Sequence, residues 1–346
     1  MRPSANPHIN IMTKENKKPD LHEVITNRFI EALEKGTNPW TKPWTNADSN
    51  DQFPVNISSG KMYQGINTLM LWMESNMKGY QSSKWGTFKQ WHTFLKMDAK
   101  EKDHLKGEKG TPVVYWGVLY FDMQGKKLIP NKPYSISQLD AMVKQKRAKK
   151  VMYEKYSFAF NLDQISDKYK DRLPVAIQPK PAVKDEDLWH LNEGDDYTHA
   201  ELNKCRDTVS AWIGDQSIRF YQGGNRACYN PSFDAITMPT KEQFDFASEY
   251  YHTFFHEIAH STGHESRIDR FENGGSKFGD DKYALEELVA ELTAAFLSNS
   301  HGIYNQTAIN SEAYFKGWAE KLKADKKMIF KASKQAQKAF ELITNV

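Results

Sequence analysis

The chain has 346 residues, of which 39% are hydrophobic and 26% charged, with a formal net charge of +3; these figures predict a globular protein of about two domains. They exclude a fibrous or low-complexity chain, and no apolar run approaches the ~20 residues of a membrane-spanning helix. The only cysteines, Cys205 and Cys228, exclude a disulfide scaffold and read as reduced thiols of a cytoplasmic protein.

The small net charge conceals a division. Residues 1–170 carry 27 Lys and Arg against 17 Asp and Glu, net +10, whereas the remainder carries 20 against 27, net −7. A basic half joined to an acidic half predicts two domains with different partners. Residues 1–19 are polar, lack the apolar segment of a signal peptide and are expected to form a disordered tail. A first domain is expected over 20–170. Within it, "GTNPWTKPW" (36–44), "PVNISSGKMYQGINTLMLWM" (54–73), "YQSSKWGTFKQW" (80–91) and "LKGEKGTPVVYWGVLYF" (105–121) each combine aromatics with lysines and turn residues. Exposed rings stack on unpaired bases at ~1–3 kcal/mol each, and lysines neutralise phosphates whatever the sequence. The combination predicts binding to single-stranded DNA, with double-stranded DNA as an alternative. Lys61, Tyr63, Trp85, Lys89 and Lys109 are the expected contacts, because each lies near Gly or Ser in a turn. The bland alternative is that Trp72, Trp91 and Trp116 are core and the lysines a solvated surface.

Further along, "TPVVYWGVLYF" and "YEKYSFAFNL" alternate as strands do, so the first domain is predicted to be α+β. The run "VKQKRAKKVMYEKY" (143–156) reads as a basic helix or arm. Three prolines and a cluster of acids mark 171–196 as a linker. A second, mainly helical domain is expected over 197–346.

In that second domain, 239–265 reads as a helix, with Thr240 and Gln243 resembling a capping box. His256 and His260 stand i and i+4 on one helical face, with Glu257 beside the first, as in the zinc-binding pattern HExxH. Ser266 occupies the position at which metzincins place a third histidine, and His264 is read as outer support or surface. A second helix is predicted over 280–302, capped by Asp280 or Asp281 and stopped by Gly302. It carries Glu287 and Glu291 among apolar residues, where carboxylates are costly unless paired or metal-bound. That spacing matches a gluzincin: Glu287 as third metal ligand, Glu291 orienting a ligand histidine. One Zn2+ per chain is therefore expected on His256, His260 and Glu287, with Glu257 as the general base for peptide hydrolysis of an unidentified protein substrate. The strand region 227–239 is expected to line the cleft. His264, Tyr229 and His301 are candidate oxyanion partners.

The four front segments, followed in order by "YSFAFNLDQI", "YNPSFDAITMP", "HEIAHSTGH", "EELVAEL" and "FKGWAEKLKAD", resemble the ArdC family of antirestriction proteins over roughly residues 20–346. The resemblance implies an N-terminal single-stranded-DNA-binding domain, similar to a segment of some plasmid primases, followed by a zincin-like metallopeptidase domain. It implies protection of incoming plasmid or phage DNA from restriction in a bacterial host. Residues 122–150 depart from the family pattern as a longer segment. Two alternatives stand beside this reading: a DNA-binding protector whose metal is structural, and a processing peptidase that uses DNA for localisation.

Overall fold

A computed structural model describes residues 20–40, 53–174, 199–271, 281–303 and 312–345. The expected tail, most of the expected linker, Trp44 and the candidate cap Asp280 lie outside the described residues.

Helix α1 (Leu21–Glu34) starts where the Asp20 carboxylate accepts from the His22 N–H at 2.9 Å, filling one of the orphan donors of the first turn. Its buried face is Ile25, Phe29, Ile30 and Leu33. Helix α2 (Ile66–Lys78) ends at Gly79, whose φ of 70° is the left-handed terminus that glycine adopts at no steric cost. A five-stranded sheet follows the order β1 (Val55–Asn56), β2 (Lys84–Thr87), β5 (Ala148–Asn161), β3 (Thr111–Asp122), β4 (Lys127–Leu128). Its long ribbon is β3 against β5, antiparallel from Thr111↔Ala159 to Asp122↔Ala148. Gly117 lies opposite Tyr153, whose ring covers it so closely that a Cβ would collide.

The basic run differs from its expected form. Val143 and Lys144 close α4 (Ile136–Lys144), but from Ala148 onward every residue to Ala159 pairs with β3. Ladder pairing thus overrides the helical reading of the lysine cluster. The 122–150 segment holds β4 and α4, and it is tied back to the ribbon by Asp140, which accepts from the Tyr120 hydroxyl at 2.9 Å and from Lys150 Nζ at 2.8 Å. Between β2 and β3 lies α3 (Phe88–Phe94), capped by Thr87 and Gln90.

The second half contains α5 (His199–Asp215), a three-stranded sheet in the order β6 (Arg219–Gln222), β8 (Ala235–Met238), β7 (Cys228–Asn230), and then α6 (Ala247–Ser261), α7 (Asp281–Ser300), α8 (Glu312–Ala324) and α9 (Met328–Thr344). The Thr240–Gln243 capping box exists, but it caps a single 3-10 turn, Lys241–Gln243. Phe244 is extended, with φ −110° and ψ 139°, so the long helix begins only after Phe246. Gly302, at φ 78°, follows α7 as the expected stop.

The architecture is α+β. One core joins the two halves: Ile25, Phe29, Trp40, Phe53 and Trp72 pack with Leu288, Phe296, Trp318 and Ile329. Each such side chain contributes about 1.5–3 kcal/mol when fully buried. A second core, of Trp212, Ile236, Phe254, Phe255, Ile258 and Leu297, holds α6 between the small sheet and α7. No helix among the described residues is long and apolar enough to cross a membrane.

Candidate metal centre and the exposed ribbon

Helix α6 carries the two histidines, and its own polar contacts fix its place. Trp212 donates to Ser261 Oγ at 2.9 Å, and His252 Nδ1 lies 3.0 Å from Ser298 Oγ on α7. Helices α6 and α7 cross so that His256, His260 and Glu287 each direct one donor atom to a common point, all within 4.8 Å of one another. The two Nε2 atoms are 3.1 Å apart, and each lies 3.6 Å from a Glu287 carboxylate oxygen. Donors around a tetrahedral zinc at its usual bond lengths stand roughly 3.4 Å apart, so three corners of such a polyhedron are present.

The carboxylates around the donor set favour positive charge there. Burial would depress the basicity of His256, but Glu287 and Glu291 outweigh it and raise its pKa to about 10. Burial would raise Glu287, yet His256 and His260 hold it down at about 2. The residues therefore fit a divalent cation.

Each histidine faces a carboxylate behind it. Glu286 Oε1 is 3.2 Å from His260 Nδ1, and Glu291 Oε2 is 3.7 Å from His256 Nδ1. Glu286 is in turn held by Arg270, through Nη2 at 2.8 Å and Nε at 3.0 Å. The same guanidinium donates to the Ala259 carbonyl at 3.0 Å, while Arg267 donates to that of Ser261 at 2.6 Å. Two arginines from the turn after α6 thus add charged donors to carbonyls of the helix end, which also accept from Thr262 and His264. Arg267 also pairs with Asp234, Nη1 to Oδ2 at 3.1 Å, and donates to the Tyr229 hydroxyl at 3.2 Å, tying β7 and the turn before β8 to the end of α6.

The three converging side chains line a cleft of about 360 Å³ together with Glu257, Tyr283 and Arg226. Its opposite wall includes Cys228 and Tyr229 of β7, one of the two edge strands of the small sheet. Glu257 is buried, at 7% exposure.

Of the other candidates, only Tyr229 reaches the cleft. His264 bonds Ser266 Oγ at 2.8 Å on the exposed turn. His301 lies 2.7 Å from Thr208 Oγ1 and 2.8 Å from the Leu297 carbonyl, and it is not among the cleft residues. Tyr229 lines the cleft, but its hydroxyl donates to Asp234 at 2.7 Å. The sequence reading passed over Tyr283, whose hydroxyl bonds Glu287 and whose pKa burial and that carboxylate raise to about 12. It also passed over the Glu286–Arg270 pair. A third glutamate beside Glu287 was the available signal for Glu286.

In the N-terminal half, Lys61, Lys89 and Lys109 are exposed. Asn56 donates to the Tyr63 hydroxyl at 2.9 Å and to Gln90 Oε1 at 3.3 Å, so the turn of Lys61 and Tyr63 neighbours the helix of Lys89. Tyr63 is only partly exposed. Trp85 corrects the expectation outright: at 0% exposure it is packed with Leu71, Val113 and Ala159 and cannot stack on a base. Gly86 beside it marks close packing rather than an open turn, since a Cβ there would stand 2.6 Å from Ile57. Trp72 and Trp91 are core, whereas Trp116 is 44% exposed. It lies on the β3–β5 ribbon with Tyr115, Tyr156 and Phe158, all exposed. The pairs Trp116↔Glu154, Val114↔Tyr156 and Pro112↔Phe158 set Trp116, Tyr156 and Phe158 on one face. Tyr115↔Lys155 falls on the other.

Residues 19–160 match the family model for the N-terminal domain of anti-restriction factor ArdC, and residues 207–335 match that for a zincin-like metallopeptidase. Among solved structures, the chain is similar to the metal-free crystal structure of the antirestriction ArdC protein from plasmid R388, with TM-score 0.63 and 34% identity over 94% of this chain and 97% of that one. The Mn(II)-bound structure of the same protein gives TM-score 0.61 and 32% identity over the same shares. An Escherichia coli DNA primase TraC is 34% identical over 95% of this chain, which spans 20% of that relative's length.

Proposed function

This chain belongs to the ArdC family of antirestriction proteins, and from that premise we propose that it binds single-stranded DNA through residues 20–170 and carries a zinc peptidase in residues 197–346. Its role would be to protect incoming plasmid or phage DNA in the cytoplasm of a bacterial host. The observation that carries the peptidase reading is the convergence of His256, His260 and Glu287 beside a buried Glu257 in one cleft. An ion held there, one Zn2+ per chain, supplies Lewis acidity and an acidified water. Glu257, beside that position, would act as the general base that takes a proton and returns it to the leaving amide nitrogen. Glu286 holds His260 by its Nδ1 at 3.2 Å, and Glu291 faces Nδ1 of His256 at the ion-pair distance of 3.7 Å. The edge of β7 that does not pair with β8 offers backbone donors and acceptors to an extended peptide lying in the cleft.

For DNA, the exposed rings Trp116, Tyr156 and Phe158 supply stacking surfaces, and Lys61, Lys89 and Lys109 supply phosphate contacts. The decisive experiment compares wild type with Glu257→Ala in metal content, single-stranded DNA binding and protection of transferred DNA in a restricting host. Normal metal and DNA binding with lost protection supports an active peptidase aimed at a host protein. Full protection leaves the ion as a scaffold. A wild type without bound metal refutes the centre.

A further inference from the structure

The two ligand histidines are backed differently. Behind His260, Glu286 is held by Arg270, a neighbour in the same half. Behind His256, Glu291 is 9% exposed, and the donor to its second oxygen comes from another helix: the Tyr314 hydroxyl of α8, at 2.8 Å. That hydroxyl lies 3.2 Å from Nε1 of Trp40, which is 1% exposed and follows α1 in the N-terminal half. Trp318 packs edge-on against both rings, with centroids 6.5 Å from Trp40 and 6.3 Å from Tyr314.

The proton inventory gives this chain of contacts a direction. An indole N–H only donates, so Trp40 occupies a lone pair of the tyrosine oxygen. The single hydroxyl proton is then directed to Glu291, which as a carboxylate only accepts. With Oε1 so engaged, Oε2 is left facing Nδ1 of His256, and a proton on that nitrogen leaves the Nε2 lone pair for the point shared with His260 and Glu287.

We infer that Tyr314 and Trp40 are positioning residues of the metal centre, so that the N-terminal half completes a site whose ligands all lie in the C-terminal half. The inference rests on the metal reading of His256, His260 and Glu287. Burial in the shared core does not by itself require such a contact, because Trp72 in the same core has no partner for its Nε1 among the described residues.

The test uses the full chain, stripped with a chelator and titrated with Zn2+ by competition and with Co2+ by its visible ligand-field bands. Tyr314→Phe removes one oxygen and keeps the ring, so it carries the test even if the tryptophan variant folds poorly. It is expected to weaken Zn2+ binding about 10-fold or more and to shift the Co2+ bands. Trp40→Phe should move both readouts in the same direction by less. The double variant should be no weaker than Tyr314→Phe alone, since Trp40 acts through the hydroxyl. Trp72→Phe, a loss of the same size in the same core, should change neither. Affinities and Co2+ spectra of Tyr314→Phe and Trp40→Phe equal to those of Trp72→Phe would overturn the inference while leaving the metal centre in place. Absence of any ion from wild type would instead remove the reading on which it rests.

Discussion

The proposed metal centre and the proposed DNA surface on the β3–β5 ribbon pose opposite recognition problems. At the centre, three potential donors are fixed by two crossed helices, each of the two histidines faces a carboxylate, and two arginines secure the end of α6. A small ion needs donors already at their bonding distances, because any rearrangement subtracts from affinity. On the ribbon, Tyr115, Trp116, Tyr156 and Phe158 stand exposed on two strands, and the Lys155 ammonium lies 5.2 Å from the centre of the Tyr153 ring. A flexible polymer of varied sequence is better met by flat rings and long cationic side chains that adapt to it. On the proposed function, fixed geometry would serve the point charge and adaptable surface the chain.

The largest expected effects fall at the fixed site. His256→Ala and Glu287→Ala should each abolish tight binding of one divalent ion, read by calorimetry, and lower the melting temperature of the metal-loaded protein. Full occupancy in Glu287→Ala would move the third ligand to Glu286 or Glu291. Glu257→Ala should keep the ion and lose roughly 10²–10⁴ in hydrolysis of a denatured protein substrate. A wild type that cleaves nothing would turn the centre into a scaffold and erase that contrast. All three variants should bind single-stranded DNA as wild type does; loss of DNA binding in any of them would break the separation between the two regions.

Effects on the ribbon should be smaller and graded. Trp116→Ala, Tyr156→Ala and Phe158→Ala should each weaken single-stranded DNA binding by about 1–3 kcal/mol, read by fluorescence anisotropy. Lys61→Ala, Lys89→Ala and Lys109→Ala should instead flatten the dependence of affinity on salt, by roughly 0.7 in the log–log slope for each phosphate no longer neutralised. Trp85→Phe should cost stability and leave DNA affinity unchanged. If only Trp85→Phe weakened binding, the DNA surface would lie off the ribbon.

What was legible beforehand follows from periodicity. His256 with His260, and Glu287 with Glu291, sit at helical spacing, so one turn of reasoning puts each pair on one face; β3 and β5 alternate visibly. Two features had no local signature. Residues adjacent on a helix point about 100° apart, so the division of labour between Glu286 and Glu287 depends on Arg270, which reaches α7 only through the turn after α6. Trp85 was misread because a tryptophan beside Gly and Ser looks like a turn, whereas its β2 position pairs with Asn161 inside the sheet. The charge division between the halves also concealed a shared core, since net charge reports on surface and the joining residues are apolar.

The smallest effect separates the cleft wall from the ion. Asp234, paired with Arg267, fixes β7 against α6 and touches no proposed ligand. Burial alone would raise its carboxyl, but Arg267 and Tyr229 hold it below the usual 3.8. Its folded pKa is therefore depressed, so the stability it contributes is fully present above the unfolded value and is lost as pH falls through 3.8 toward the lower folded one. Asp234→Asn should consequently lower the melting temperature at neutral pH by a few degrees, at roughly 2–4 °C per kcal/mol. The gap from wild type should narrow as pH drops below about 4 and close only below the depressed folded value, where both side chains are neutral. Zn2+ affinity at neutral pH should not change. A gap that widens in acid would show that the pair is not what Asp234 contributes, and a loss of Zn2+ binding would mean that the cleft wall and the ion site are mechanically one unit.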